Sequence, residues 1–210
     1  MTLEEQYYDK GYFVSKLPAP LLAYLWNEVY STEWVDDKKE NIYKQVPSWY
    51  ISELDHNVGE HGQYRHTFER AIGSEMLHKA PESLLLLSKA VAETPELEYF
   101  KRYYQRCETL YIDLWNGSEE IPYHFDTING ADTLILIYLT EQSEWKTDWG
   151  GQINLKKQIN DVTICEEEVL PLNGTMVVIN NTNPLVFHKI TALQNNAVNR
   201  YTFSFNYRWF

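Results

Sequence analysis

Tyr123-His124-Phe125-Asp126 is the stretch on which the reading of this chain turns. In an extended strand, side chains two positions apart share a face, so His124 and Asp126 would present an imidazole and a carboxylate side by side. A second imidazole from a distant strand is available in Pro184-Leu185-Val186-Phe187-His188. His188 would complete two histidines and one carboxylate on one face of a divalent iron, leaving the opposite face open for a co-substrate and O2. The alternatives are a surface strand pair for His124 and Asp126 and a satisfied core histidine for His188.

Outward from this stretch the chain reads as β structure. From about Cys107, short β-branched or aromatic runs are separated by turn residues: Leu110 to Trp115, Thr133 to Thr140, Gln152 to Lys156, Val162 to Cys165, Thr175 to Asn180 and Arg200 to Trp209. Asn173-Gly174 is a tight-turn signal, and Gly150-Gly151 allows a close bend or a bulge. The even spacing predicts an α+β chain with a mainly β core, a double-stranded β-helix (jelly-roll, cupin-like barrel) flanked by N-terminal helices. No linker interrupts it, so residues 1–210 are expected to form one domain. Residues 1–106 would be a helical and irregular support carrying substrate-side loops, and 107–210 the catalytic core.

The support is expected to be mainly helical over the first hundred residues. Pro18 to Tyr30 carries Leu21, Leu22, Leu25, Trp26 and Val29 at spacings of three and four, an amphipathic helix. A strand is predicted around Trp49 to Ile51, a helix over Phe68 to Ala92 and a short one over Pro95 to Arg102. His56, His61, His66 and His78 have no carboxylate at strand spacing and read as ordinary surface or core histidines.

The last run divides cleanly. Arg200, Thr202, Ser204 and Asn206 share one face, and Tyr201, Phe203, Phe205 and Tyr207 the other. A guanidinium pointing into a barrel is costly unless a carboxylate meets it, and its planar fork matches a carboxylate bidentately. If the polar face lines the lumen, a dicarboxylic acid is the natural guest, one end on the metal and the other on Arg200. An arginine on the solvent face of an edge strand is the alternative.

Composition narrows the field. A net charge of -12, from 30 acidic against 18 basic residues, repels a phosphate backbone, and no basic stripe offsets it, so a nucleic-acid partner is disfavoured. Two cysteines far apart, Cys107 and Cys165, fit reduced thiols rather than a disulfide scaffold. With no apolar run of membrane-spanning length and a polar, acidic start, the expected setting is soluble and cytoplasmic, with no membrane association.

The segment from about Leu110 to Phe210 resembles the 2-oxoglutarate and Fe(II)-dependent oxygenases, in their prolyl 4-hydroxylase-like branch. The resemblance is carried by His124-Phe125-Asp126, Leu136-Ile137-Tyr138-Leu139-Thr140, Trp145 with Trp149-Gly150-Gly151-Gln152-Ile153, Pro171-Leu172-Asn173-Gly174-Thr175, His188 and Arg200. It implies that His124, Asp126 and His188 hold the iron, that Arg200 pairs with the distal carboxylate of 2-oxoglutarate, and that Tyr138 donates its hydroxyl to the same group. Independently of the family, a buried Tyr138 needs a partner for its hydroxyl, and a plain core tyrosine is the other reading. Thr202, on the face of Arg200, would add a second hydroxyl. Trp115 stands where relatives place a tyrosine that contacts 2-oxoglutarate, and its indole can only donate one N–H.

The implied reaction consumes O2 and 2-oxoglutarate, releases succinate and CO2, and hydroxylates a C–H bond of a peptide, protein residue or small molecule, with ascorbate as a possible support. A cupin-type dioxygenase or isomerase that does not use 2-oxoglutarate is the alternative, and Arg200 discriminates between them. Trp34, Tyr43, Trp49, Tyr50 and Tyr64 could wall a cleft over the metal or pack the support.

Overall fold

The computed structural model describes residues 1–31, 34–36, 43–47, 89–91, 93–100, 105–115, 120–126, 132–195 and 198–209; within 34–36, 43–47, 98–100, 105–115 and 208–209 it describes the backbone alone. Two antiparallel sheets organise these residues. The larger runs β1 (Tyr12–Lys16), β9 (Thr175–Asn180), β6 (Thr133–Leu139), β11 (Arg200–Trp209), β4 (Gln105–Trp115), β3 (Tyr43–Pro47) and β2 (Trp34–Asp36). The smaller runs β5 (Ile121–His124), β10 (Val186–Ile190), β7 (Ile153–Ile159) and β8 (Val162–Val169). This is the jelly-roll that the spacing predicts.

Side-chain alternation explains how the layers stack. In β6, Leu134, Leu136 and Tyr138 meet Ile153, Leu155 and Val186 of the smaller sheet, forming the barrel interior. Ile135, Ile137 and Leu139 point the other way and pack with Phe203, Phe205, Leu25 and Val29. Both faces of β6 are covered, which is why Thr133-Leu134-Ile135-Leu136-Ile137-Tyr138-Leu139 reads as an unbroken apolar run. In β11 the aromatic positions Tyr201, Phe203, Phe205 and Tyr207 lie on the helix side, so Arg200, Thr202, Ser204 and Asn206 are left facing the lumen.

The N-terminal residues cap the larger sheet. A Thr2–Glu5 capping box opens α1 (Leu3–Glu5), and α2 (Ala19–Ser31) buries Leu25 and Val29 with Leu21, Leu22 and Trp26 at the margin, as the periodicity predicts. Burying each such aliphatic side chain contributes roughly 1.5–3 kcal/mol. Trp26 also donates its Nε1–H to Asn173 Oδ1 at 3.1 Å, fastening the helix to the turn before β9.

Three expectations are refined. Among the described residues of the first hundred, helix prevails as expected, but three strands not expected there, β1, β2 and β3, add to the larger sheet. The reason is period two: Tyr12 packs in the lumen and Phe13 on the helix side. Asn173-Gly174 forms the expected tight turn, closed by Thr175 N–H to the Leu172 carbonyl at 2.9 Å with Gly174 at φ +76°, but it carries the chain from β8 in one sheet to β9 in the other rather than joining a hairpin. The β7–β8 hairpin turns instead at Asn160-Asp161, with φ +49° and +63°, where positive φ at both central residues matches the strand twist. The short helix expected from Pro95 is present as a 3-10 helix over Pro95–Phe100, and Lys101 and Arg102 lie outside the described residues. The strand expected at Trp49 to Ile51 and most of the helix expected over Phe68 to Ala92 lie outside the described residues, as do His56, His61, His66 and His78, although Lys89 to Val91 is helical.

Candidate active site

Three residues meet, His124 and Asp126 at the end of β5 and His188 from the middle of β10. β5 and β10 are neighbours in the smaller sheet with His124 and His188 as register partners, which sets their rings 4.2 Å apart at 54°. Asp126 lies just past the end of β5 rather than on it, a departure from the regular strand that the spacing suggested. Its carboxylate nevertheless closes the group, with Oδ1 3.7 Å from His124 Nε2 and Oδ2 3.6 Å from His188 Nε2. One donor atom from each residue lies within 4.8 Å of the others, the dimensions of a site that can hold one metal ion. His188 and Asp126 are buried and His124 is partly open, so the group has one side toward solvent.

Local contacts fix the imidazole of His124. Its Nδ1 lies 2.8 Å from the Pro122 carbonyl, which can only accept, so Nδ1 carries the proton and the Nε2 lone pair points at the cluster. Pro122 itself is tolerated because β5 is an edge strand.

The same barrel encloses a buried cation. Arg200, 1% exposed, reaches from β11 across to the smaller-sheet side, where Nη1 donates to the Gly151 carbonyl just before β7. Its Cζ stands 5.3 Å from the ring centroid of Tyr138, and Thr202 is the register partner of Tyr138. The hydroxyls of Tyr138 and Thr202 are both buried and have no hydrogen-bond partner among the described residues. Leaving a hydroxyl so costs about 1–3 kcal/mol, which a carboxylate held between them and the guanidinium would recover. Burial pushes the Tyr138 phenol up to about 12 although the positive charge of Arg200 pulls it down, so it remains an O–H donor at neutral pH. Trp115 pairs with Arg200 through the backbone of β4; its side chain lies outside the described residues.

The glycine pair predicted as a bend has a specific task. Gly150 and Gly151 have φ +73° and +74°, and Gly150 bridges to Leu193. A Cβ on Gly150 would sit 1.8 Å from the Ala192 carbonyl oxygen. The close approach holds the segment carrying the Arg200 acceptor, just before β7, against the segment after β10, and Trp145 Nε1 donates to the Gly150 carbonyl at 2.9 Å. Sequence reading missed the outer face of this sheet, where Tyr123 donates to Glu166 Oε1 at 2.7 Å; its period-two placement opposite His124 was the available signal.

The donor set and pocket fit an iron(II) ion and a dicarboxylic oxo acid: two imidazoles and a carboxylate suit non-haem iron, and two orphaned hydroxyls flank a buried guanidinium. Comparison with known families agrees. Residues 110–208 match the model described as the 2OG-Fe(II) oxygenase superfamily, and this segment carries every residue of the site.

Among solved structures, an oxidoreductase of the 2OG-Fe(II) oxygenase family from Burkholderia pseudomallei aligns with a TM-score of 0.60 at 16% identity, covering 97% of this chain and 86% of that one. A prolyl hydroxylase from Trichoplax adhaerens, solved with a peptide of the hypoxia inducible factor oxygen degradation domain, aligns at 0.55 and 13% identity over 99% and 87%. A prolyl-4-hydroxylase from Pseudomonas putida aligns at 0.50 and 14% over 98% and 97%. At these identities the likeness is one of fold. No curated protein matches the chain in sequence. Among the described residues no helix is long and apolar enough to cross a membrane.

Proposed function

We propose that His124, Asp126 and His188 hold Fe(II), that Arg200, Tyr138 and Thr202 receive the distal carboxylate of 2-oxoglutarate, and that the enzyme hydroxylates a C–H bond of a peptide or protein residue or of a small molecule. One observation carries this reading above the others: a buried guanidinium beside two buried, partnerless hydroxyls, in the same barrel as the His-Asp-His group. The same feature argues against a cupin-type enzyme without 2-oxoglutarate, in which Arg200 would have no dicarboxylate to meet.

When bound, the iron supplies activation of O2 coupled to oxidative decarboxylation of 2-oxoglutarate to succinate and CO2. The chain's own residues supply position. Nδ1 of His124 keeps its proton on the Pro122 carbonyl so that Nε2 stays available as a donor. Arg200 fixes one end of the co-substrate by charge and fork geometry, while Tyr138 donates an O–H that is not ionised at neutral pH. The apolar walls Leu134, Leu136 and Leu155 keep water from the lumen. Residues 1–106 are assigned to support and substrate-side loops, and residues 107–210 to the catalytic core.

The peptide in the Trichoplax structure supports a peptide or protein substrate over a free metabolite, and the net charge of -12 supports one with basic or neutral flanks. We place the enzyme in the cytoplasm and expect ascorbate to sustain turnover. The test is succinate release from labelled 2-oxoglutarate with Fe(II), O2 and ascorbate. Turnover that needs the metal and disappears in His124→Ala supports the reading; turnover that persists after iron is removed overturns it.

A further inference from the structure

We propose, resting on the metal-site reading above, that Tyr123 is a positioning residue: it straps the strand that delivers His124 and Asp126 across the outer face of the smaller sheet to Glu166 on the far edge. The need for a strap starts with the backbone. β5 has four residues and is an edge strand whose neighbour is β10. It is in register at two pairs, His188 with His124 and Ile190 with Ile121, with an irregularity between them. Pro122 has no N–H to add. A ladder this short leaves an end free to fray, yet a metal site needs its donors held to a fraction of an ångström.

Tyr123 points away from the lumen because His124 points into it. Its hydroxyl donates to Glu166 Oε1 at 2.7 Å, and Glu166 belongs to β8, with β10 and β7 lying between. The bond therefore spans the width of the sheet. Beneath the ring, Lys156 Nζ of β7 lies 3.9 Å and Lys189 Nζ of β10 lies 5.3 Å from the centroid, both within cation–π range. Lys156 also stands 5.7 Å from the Phe187 centroid, and Phe187 meets Phe125 edge to face at 6.1 Å. Each of the aromatic residues adjoining a donor, Tyr123, Phe125 and Phe187, is thus joined to its neighbours on the outer face.

The test is Co(II) titration of the full chain by absorbance, with Tyr123→Phe, which keeps the ring and loses the bond, and Glu166→Ala at the exposed far edge. Each single variant is expected to bind Co(II) roughly 3- to 10-fold more weakly, the range of one net hydrogen bond. The double variant should be no weaker than either single one, and Glu166→Gln, which keeps an acceptor oxygen, should recover most of the loss. At saturating metal, 2-oxoglutarate affinity should be unchanged. A lowered thermal midpoint with unchanged Co(II) affinity would mean a merely structural contact and overturns the strap. Wild-type affinity in both single variants overturns it while leaving the metal site standing; failure of the wild-type chain to bind Co(II) overturns both.

Discussion

The imidazoles of His124 and His188 face each other across the β5–β10 ladder, ring centroids 4.2 Å apart, with the Asp126 carboxylate within 3.7 Å of both Nε2 atoms. Two nitrogen donors and an anion gathered this closely form a low-cost arrangement only if a cation lies among them.

From this geometry, Asp126→Asn keeps the shape of the site and removes its anion. The expected outcome is a loss of Co(II) or Fe(II) affinity of more than about 100-fold, beyond the 10- to 100-fold typical of residues that only support a ligand. Succinate formation should fall with it, while the thermal midpoint of the metal-free chain changes little. Metal titration beside a turnover assay checks this; retained affinity contradicts the assignment of Asp126.

Arg200→Met addresses the co-substrate alone. The buried guanidinium is to pair with a carboxylate, and removing one partner of such a pair costs about 2–5 kcal/mol, or roughly 30- to several-thousand-fold in affinity. Metal affinity should be retained, so the variant separates the two halves of the site. Arg200→Lys should recover only part, because an ammonium cannot form the two-pronged contact. Equal 2-oxoglutarate binding in all three proteins would count against the pocket.

Much of this was legible because the physics involved is local. Period-two alternation placed Arg200 and Thr202 on one face of β11 and Phe203 and Phe205 on the other, and the barrel's two layers require that division. The His124 and Asp126 juxtaposition was readable although its cause was not: the spacing suggested a strand, whereas Asp126 sits beyond the end of β5. What escaped is long-range. Nothing near Tyr12 announces that β1 will pair with β9, some 160 residues later. Nothing near Tyr123 announces Glu166, and Asn160-Asp161 lacks the glycine that marks most two-residue hairpins.

Gly150→Ala is expected to be among the most damaging small substitutions in the barrel. The new Cβ would lie 1.8 Å from the Ala192 carbonyl oxygen, and φ +73° is unfavourable for alanine even in open space. Gly151→Ala has the same φ penalty, but its nearest neighbour is the flexible Leu193 Cδ1 at 3.1 Å. Urea unfolding should order them wild type, Gly151→Ala, Gly150→Ala, with the last losing more than about 3 kcal/mol. The reverse order would mean that the Gly150–Leu193 bridge yields easily.

Tyr138→Phe and Thr202→Val should separate stability from binding. Each removes a buried hydroxyl that has no partner among the described residues, so the co-substrate-free protein should hold its thermal midpoint or gain up to about 1 kcal/mol. Each should also weaken 2-oxoglutarate binding by roughly 10- to 150-fold, the range of a hydrogen bond to a charged group. Unfolding without and with 2-oxoglutarate would reveal opposite signs. Destabilisation in both conditions would show that the hydroxyls serve the core rather than the ligand.

Tyr138 also sets an alkaline limit. Its phenol ionises near 10.0 when unfolded and is pushed up to about 12 in the fold, chiefly by burial and against the pull of Arg200. A folded value raised above the unfolded one means that the folded chain holds its proton where the unfolded chain has released it. The resulting stability is complete below about pH 10 and is lost as pH rises toward 12. Burial raises Tyr201 in the same direction, so the whole protein should weaken over this range, and a single curve cannot isolate Tyr138. The difference between wild type and Tyr138→Phe can. Measured by urea unfolding at pH 8, 10 and 11, it should be constant between the first two and shift in favour of Tyr138→Phe at the third, because the variant has no phenol to ionise on unfolding. A difference that stays flat through pH 11 would place the hydroxyl in contact with water, and with it the pocket that Arg200 closes.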